Sequence, residues 1–147
     1  MLVKIAIFLS LIFISTSSVA NFDPHLAQKL GADEYGMKQY VMAFLKKGPN
    51  RDQTQTEAAA LQRSHLDNIT RLADEGLLVL AGPFMDDGEI RGIYIFNVKT
   101  VAQAQALTET DPSIKQGRLV MELHPWYGSA ALMELNTRHK LVSKKPI

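Results

Sequence analysis

Residues 54–76 read TQTEAAALQRSHLDNITRLADEG, and this stretch decides the fold: once it is a helix, the segments on either side must be strands and turns. Thr54 and Glu57 have the spacing of a capping box at the start, and Gly76 stands where a glycine ends a helix. At about 100° per residue, Ala58, Leu61, Ile69 and Leu72 make one apolar stripe, while Arg63, Asp67, Arg71 and Asp74 fall on the opposite side. His65 sits in the middle of the apolar stripe. A buried polar group left without a hydrogen bond costs roughly 1–3 kcal/mol, so the fold must supply this ring with a partner. Asp111 is the candidate.

Working outward, residues 37–46 alternate as a strand, with Tyr40, Met42 and Phe44 on one face and Val41, Ala43 and Leu45 on the other. Gly48-Pro49-Asn50 closes it as a loop. After the helix, residues 77–81 are wholly apolar, Asp87-Gly88 is a turn and residues 92–98 form the next strand, so the pair reads as a hairpin. Thr100 and Gln103 repeat the capping-box spacing for a second helix reaching about Glu109. Thr110-Asp111-Pro112 breaks that helix. Residues 118–123 form a last strand, which Pro125 is expected to end, and a short amphipathic segment follows around Leu132 and Leu135. The order βαββαβ is the split βαβ arrangement of the α+β class, with a four-stranded antiparallel sheet and two helices on one face. The first three strands carry apolar residues on both faces, and helices cover only one. A homodimer packed sheet to sheet is therefore expected.

Lys4, the apolar run from Ile5 to Ile14 and the small residues Ser18-Val19-Ala20 have the pattern of an export signal cleaved after Ala20. The run is too short to span a bilayer, so a periplasmic or secreted protein with no membrane anchor after cleavage is expected. The whole chain has 16 basic and 15 acidic side chains. Lys4 is the one charged residue of the signal, so the mature chain is formally neutral. No clustered basic face points to a nucleic acid. The chain has no cysteine, which excludes disulfides, thiol chemistry and cysteine metal sites. The expected organisation is a signal at 1–20, a leader of uncertain order at 21–36, one domain at 37–128, and a C-terminal amphipathic segment and tail at 129–147.

Leu80-Ala81-Gly82-Pro83-Phe84, Thr110-Asp111-Pro112-Ser113 and Glu122-Leu123-His124-Pro125-Trp126, following the His65 helix in that order, make the chain resemble the YCII-related domain family. The resemblance runs from residue 37 to about 128. It implies a ferredoxin-like fold that pairs into a dimeric α+β barrel. Members carry a histidine on the first helix of the domain and an aspartate before a proline after the second, and these match His65 and Asp111. The resemblance thereby implies an enzyme. Some relatives dehalogenate chlorinated muconolactones, and the fold is similar to that of muconolactone isomerases, although a fold does not fix a substrate.

Taken singly, the two residues have plainer readings. His65 reads equally as a core histidine bonded to a backbone carbonyl, and Asp111 as the N-cap of a helix that begins at Pro112. If they meet, the carboxylate fixes the imidazole tautomer, as a base for proton transfer requires. Glu122 and His124 share one face of the last strand and read either as cavity lining in a dimer or as polar residues at a sheet edge. His25, His65, His124 and His139 lack metal-ligand spacing, and no nucleotide or nucleophile-elbow fingerprint occurs, so no metal or cofactor is expected. The leading expectation is a small exported dimeric domain with His65 and Asp111 as catalytic acid/base pair, of isomerase, lyase or dehalogenase type, on a small organic substrate. The alternative is a non-enzymatic ligand-binding or interaction domain in which His65 is structural.

Overall fold

Strand β1, Met37–Lys47, is the segment whose two faces are both apolar, and it lies inside the sheet with a hydrogen-bonded neighbour on each side. A computed structural model describes residues 21–145; the expected export signal at 1–20 lies outside them. Strands β2, Leu78–Pro83, β3, Ile90–Phe96, and β4, Leu119–Ser129, complete one antiparallel sheet in the order β2-β3-β1-β4. Helices α2, Gln55–Asp74, and α3, Val101–Thr108, supply the crossovers, which makes this the α+β ferredoxin-like arrangement expected from the sequence. Both start in complete capping boxes, Thr54 with Glu57 and Thr100 with Gln103. Gly76 ends α2 at φ +71°: its N–H bonds the Ala73 carbonyl at 3.0 Å and the Leu77 N–H bonds that of Leu72 at 2.9 Å. A side chain at that φ would be strained.

The sheet's two faces are packed differently. Val41, Ala43, Leu45, Leu78, Tyr94 and Phe96 meet Ile69 and Leu72 of α2 and Ala104 of α3, forming the main core. On the other face, Tyr40, Val79 and Ile95 form a smaller cluster with Leu132 and Met133. Those two residues belong to a 3-10 turn at Ala130–Glu134, which leads into α5, Leu135–Val142. The C-terminal segment therefore covers one end of the second face. Asn136 ties α5 down by donating to the carbonyls of Leu78 at 2.8 Å and Ala73 at 3.4 Å. Within the leader at 21–36, Pro24–Leu30 forms helix α1, capped by the Asp23 carboxylate. Among the described residues no helix is long and apolar enough to cross a membrane.

One boundary departs from expectation. Pro125 does not end β4, which continues to Ser129 in register with β1, Val41 facing Pro125 and Met37 facing Ser129. β4 is an edge strand bonded on one side only, so a residue without an N–H is tolerated there.

Candidate functional site

His65 is aimed from the inner face of α2 toward the sheet and retains 7% of its surface. Asp111 lies between α3 and a one-turn helix α4, Pro112–Lys115, and is completely buried. The two residues meet: Asp111 Oδ2 lies 2.6 Å from His65 Nδ1. The other oxygen, Oδ1, accepts the Ser113 N–H at 2.8 Å and so caps α4. Both readings of Asp111 thus hold together, one oxygen for each. A carboxylate can only accept, so Nδ1 carries the proton and the lone pair of the neutral ring lies on Nε2.

Nε2 faces Tyr94 of β3, whose hydroxyl is 3.3 Å away and donates toward it. The two rings lie nearly parallel, 20° apart, with centroids separated by 6.3 Å. Burial, and after it the charge of Asp111, holds the Tyr94 phenol well above its ordinary pKa, so it remains a neutral donor. Tyr94 escaped the sequence reading. It sits two residues before Phe96 on the core face, where an aromatic is the ordinary filling of a strand, and its hydroxyl leaves no periodic signal.

The loop holding Asp111 is itself fastened to α2. Arg71 Nη2 donates to Asn68 Oδ1 at 2.9 Å and reaches Thr110 Oγ1 at 3.0 Å. Asp67 stands at helical spacing from Arg71, but Arg71 pairs with Glu75 and spends its second nitrogen on this clasp. Arg63 alone pairs with Asp67.

In front of the pair opens a cavity of about 630 Å³. Its lining includes His65, Leu66 and Ile69 of α2, Gly82 of β2, and Gly92 and Tyr94 of β3. The buried row Asp111, His65, Tyr94 therefore ends at a space able to hold a small organic molecule. Glu122 and His124 are not part of it. They pair with Phe44 and Met42 of β1 on the face of the sheet away from α2, where His124 Nε2 lies 2.8 Å from Glu122 Oε1 and Lys46 also bonds Glu122. Among the described residues, no group of three His, Cys, Asp or Glu side chains is placed to hold a metal ion.

Comparison with curated proteins gives no match. Among solved structures, the chain is similar to the 5-chloro-2-hydroxyhydroquinone dehydrochlorinase of Burkholderia phenoliruptrix AC1100, solved in complex with 2,5-dihydroxybenzoquinone. The TM-score is 0.44 at 16% identity, over 58% of this chain and 92% of that one. The sequence model of the YCII-related domain matches residues 40–127, which take in β2 and β3, most of β1 and β4, and His65, Tyr94 and Asp111, and the chain belongs to that family.

Proposed function

We propose that the protein is a small enzyme that moves a proton on an organic molecule, with Nε2 of His65 as general base and then acid, and Asp111 orienting the ring. The observation that carries this reading is the wholly buried carboxylate bonded to Nδ1 of a histidine that faces a cavity. Nε2 takes a proton from an acidic C–H, leaving its electron pair on the substrate, and the imidazolium is held against the Asp111 carboxylate. Tyr94 turns its hydrogen bond from Nε2 to the oxygen on which the negative charge develops. Return of the proton to a different carbon gives isomerisation. Loss of an anionic leaving group with its electron pair gives elimination, including dehalogenation. The proposal also includes a homodimer formed through the second sheet face, and export with cleavage after Ala20. Mass spectrometry of the exported product should then find Asn21 as its first residue, and a retained leader overturns the cleavage.

The test is deuterium uptake from heavy water into enolisable carbonyl compounds, followed by NMR. Uptake by the parent protein that is lost in His65→Ala and Asp111→Asn supports the reading; full uptake in both folded variants overturns it. A second reading is favoured by the near-complete burial of His65: a structural histidine in a ligand-binding domain. Either reading predicts a clear loss of thermal stability in His65→Ala, because the buried Asp111 carboxylate loses its partner; the second reading alone predicts no deuterium uptake by the parent protein.

A further inference from the structure

The cavity before His65 is electrically one-sided. Arg51, Arg91 and Arg118 line it, and no aspartate or glutamate does. Asp111 stands behind the imidazole with both oxygens already engaged. The arginines come from separate places: the loop before α2, strand β3, and the residue just before β4.

Their partners set them apart. Arg63, Arg71 and Arg138, which lie away from the cavity, each hold a carboxylate one helical turn away, at 2.8, 2.9 and 3.5 Å. Arg51 and Arg118 hold none among the described residues. Arg51 Nη1 donates to the Arg118 carbonyl at 3.1 Å, and Arg118 Nη1 to Gln53 Oε1 at 2.7 Å. Each therefore keeps further N–H groups and its whole charge uncompensated, while being anchored by a neutral oxygen. Arg91 Nη1 donates to the carbonyls of Asp86 at 3.1 Å and Gly88 at 3.4 Å, and the one carboxylate it reaches among the described residues is the exposed Asp87, at 3.8 Å. An anchored guanidinium without a counter-charge is prepared for a bidentate anion. Much of the remaining wall is apolar, from Leu45, Leu66, Ile69 and Leu119.

We infer that Arg51 and Arg118 form a carboxylate-binding subsite, and that the molecule taken by this cavity is an organic anion with an apolar body. Its charged end lies at the arginines and its body against the leucines, within reach of Nε2. The placement of a reacting carbon at Nε2 rests on the proton-transfer reading above; the charge preference does not.

Benzoate and its neutral isostere benzamide are the probes, titrated into the protein by calorimetry and by the ring resonances of His65. Benzoate is expected to bind about tenfold or more tightly than benzamide. Arg51→Gln should remove most of that preference and leave benzamide unchanged. Arg118→Lys, which keeps the charge but loses the planar fork, should weaken benzoate by a smaller factor. No benzoate binding, equal affinity for the two probes, or full benzoate affinity in both variants overturns the inference. The measurement reads binding alone. Failure of the acid/base reading would instead appear as undiminished turnover in His65→Ala, with the benzoate preference intact.

Discussion

Asp111 divides its carboxylate between two tasks, and substitution separates them. Asp111→Asn keeps an oxygen for the Ser113 N–H but turns an NH2 toward Nδ1, which must then accept. The ring proton moves to Nε2 and the lone pair facing the cavity disappears. Turnover should fall about 10²- to 10⁴-fold, with a stability change within about 1.5 kcal/mol. Asp111→Ala loses the α4 cap and strands a buried imidazole, so urea unfolding should show a loss of roughly 2–4 kcal/mol. Equal stability and equal turnover in the two variants would refute this division. Tyr94 gives a prediction in pH. Its folded-state pKa lies above that of the unfolded chain, so above pH of about 10 the unfolded state gives up a proton that the native state keeps. Stability attached to this phenol is complete below that pH and declines as pH rises beyond it. Denaturant unfolding should therefore fall less steeply between pH 9 and 11, to about that range, in Tyr94→Phe than in the parent; identical slopes would contradict it. His65 and Asp111 were legible because each carries a one-dimensional sign, a polar ring in an apolar stripe and an Asp-Pro pair after a helix. Arg51, Arg91 and Arg118 carry none, since their common property is the cavity they share.

At the scale of elements, the contact between α2 and the loop before α4 decides whether Asp111 stays in place. Asn68, 8% exposed, accepts from Arg71 and from Thr110, the residue next to Asp111. Asn68→Ala removes that shared acceptor, leaving the Thr110 hydroxyl with the Leu107 carbonyl at 2.7 Å and Arg71 Nη2 with Thr110 Oγ1 at 3.0 Å. A loss of about 1–2 kcal/mol is expected by urea unfolding, together with lower turnover at an unchanged cavity. A variant as stable and as active as the parent would show that the clasp positions nothing. The sequence revealed both long helices to within a residue or two, because capping boxes and a glycine stop are local chemistry. It misjudged the end of β4 because the licence for Pro125 is not local. A proline interrupts a central strand but not an edge strand, and which strands lie at the edge follows only from the order β2-β3-β1-β4. Pro83 shows the same rule, as the last residue of the other edge strand, opposite Gly92.

For the molecule as a whole, the second sheet face carries the argument about assembly. The C-terminal segment covers Tyr40, Val79 and Ile95 at one end, while Met42, Phe44 and Ile93 toward the other end remain half-exposed. Beside them on β4 lies a charged set: Glu122, bonded first by Lys46 and then by His124, is held below the usual carboxylate range and stays ionised. A charge that remains ionised belongs at the wet rim of an interface, and the apolar side chains at its centre. In the proposed sheet-to-sheet homodimer, Phe44 takes the centre and the Glu122 set the edge. Phe44→Glu places an unpaired carboxylate in that centre, whose burial costs more than the lost contact alone. Analytical ultracentrifugation at micromolar concentration should find the parent protein as a dimer and Phe44→Glu as a monomer. Its benzoate preference should be retained, because Phe44 faces away from α2 and the His65 cavity. A monomeric parent under those conditions would refute the dimer. A dimeric Phe44→Glu would place the interface elsewhere on the molecule, and the half-exposed apolar face would then need a different occupant.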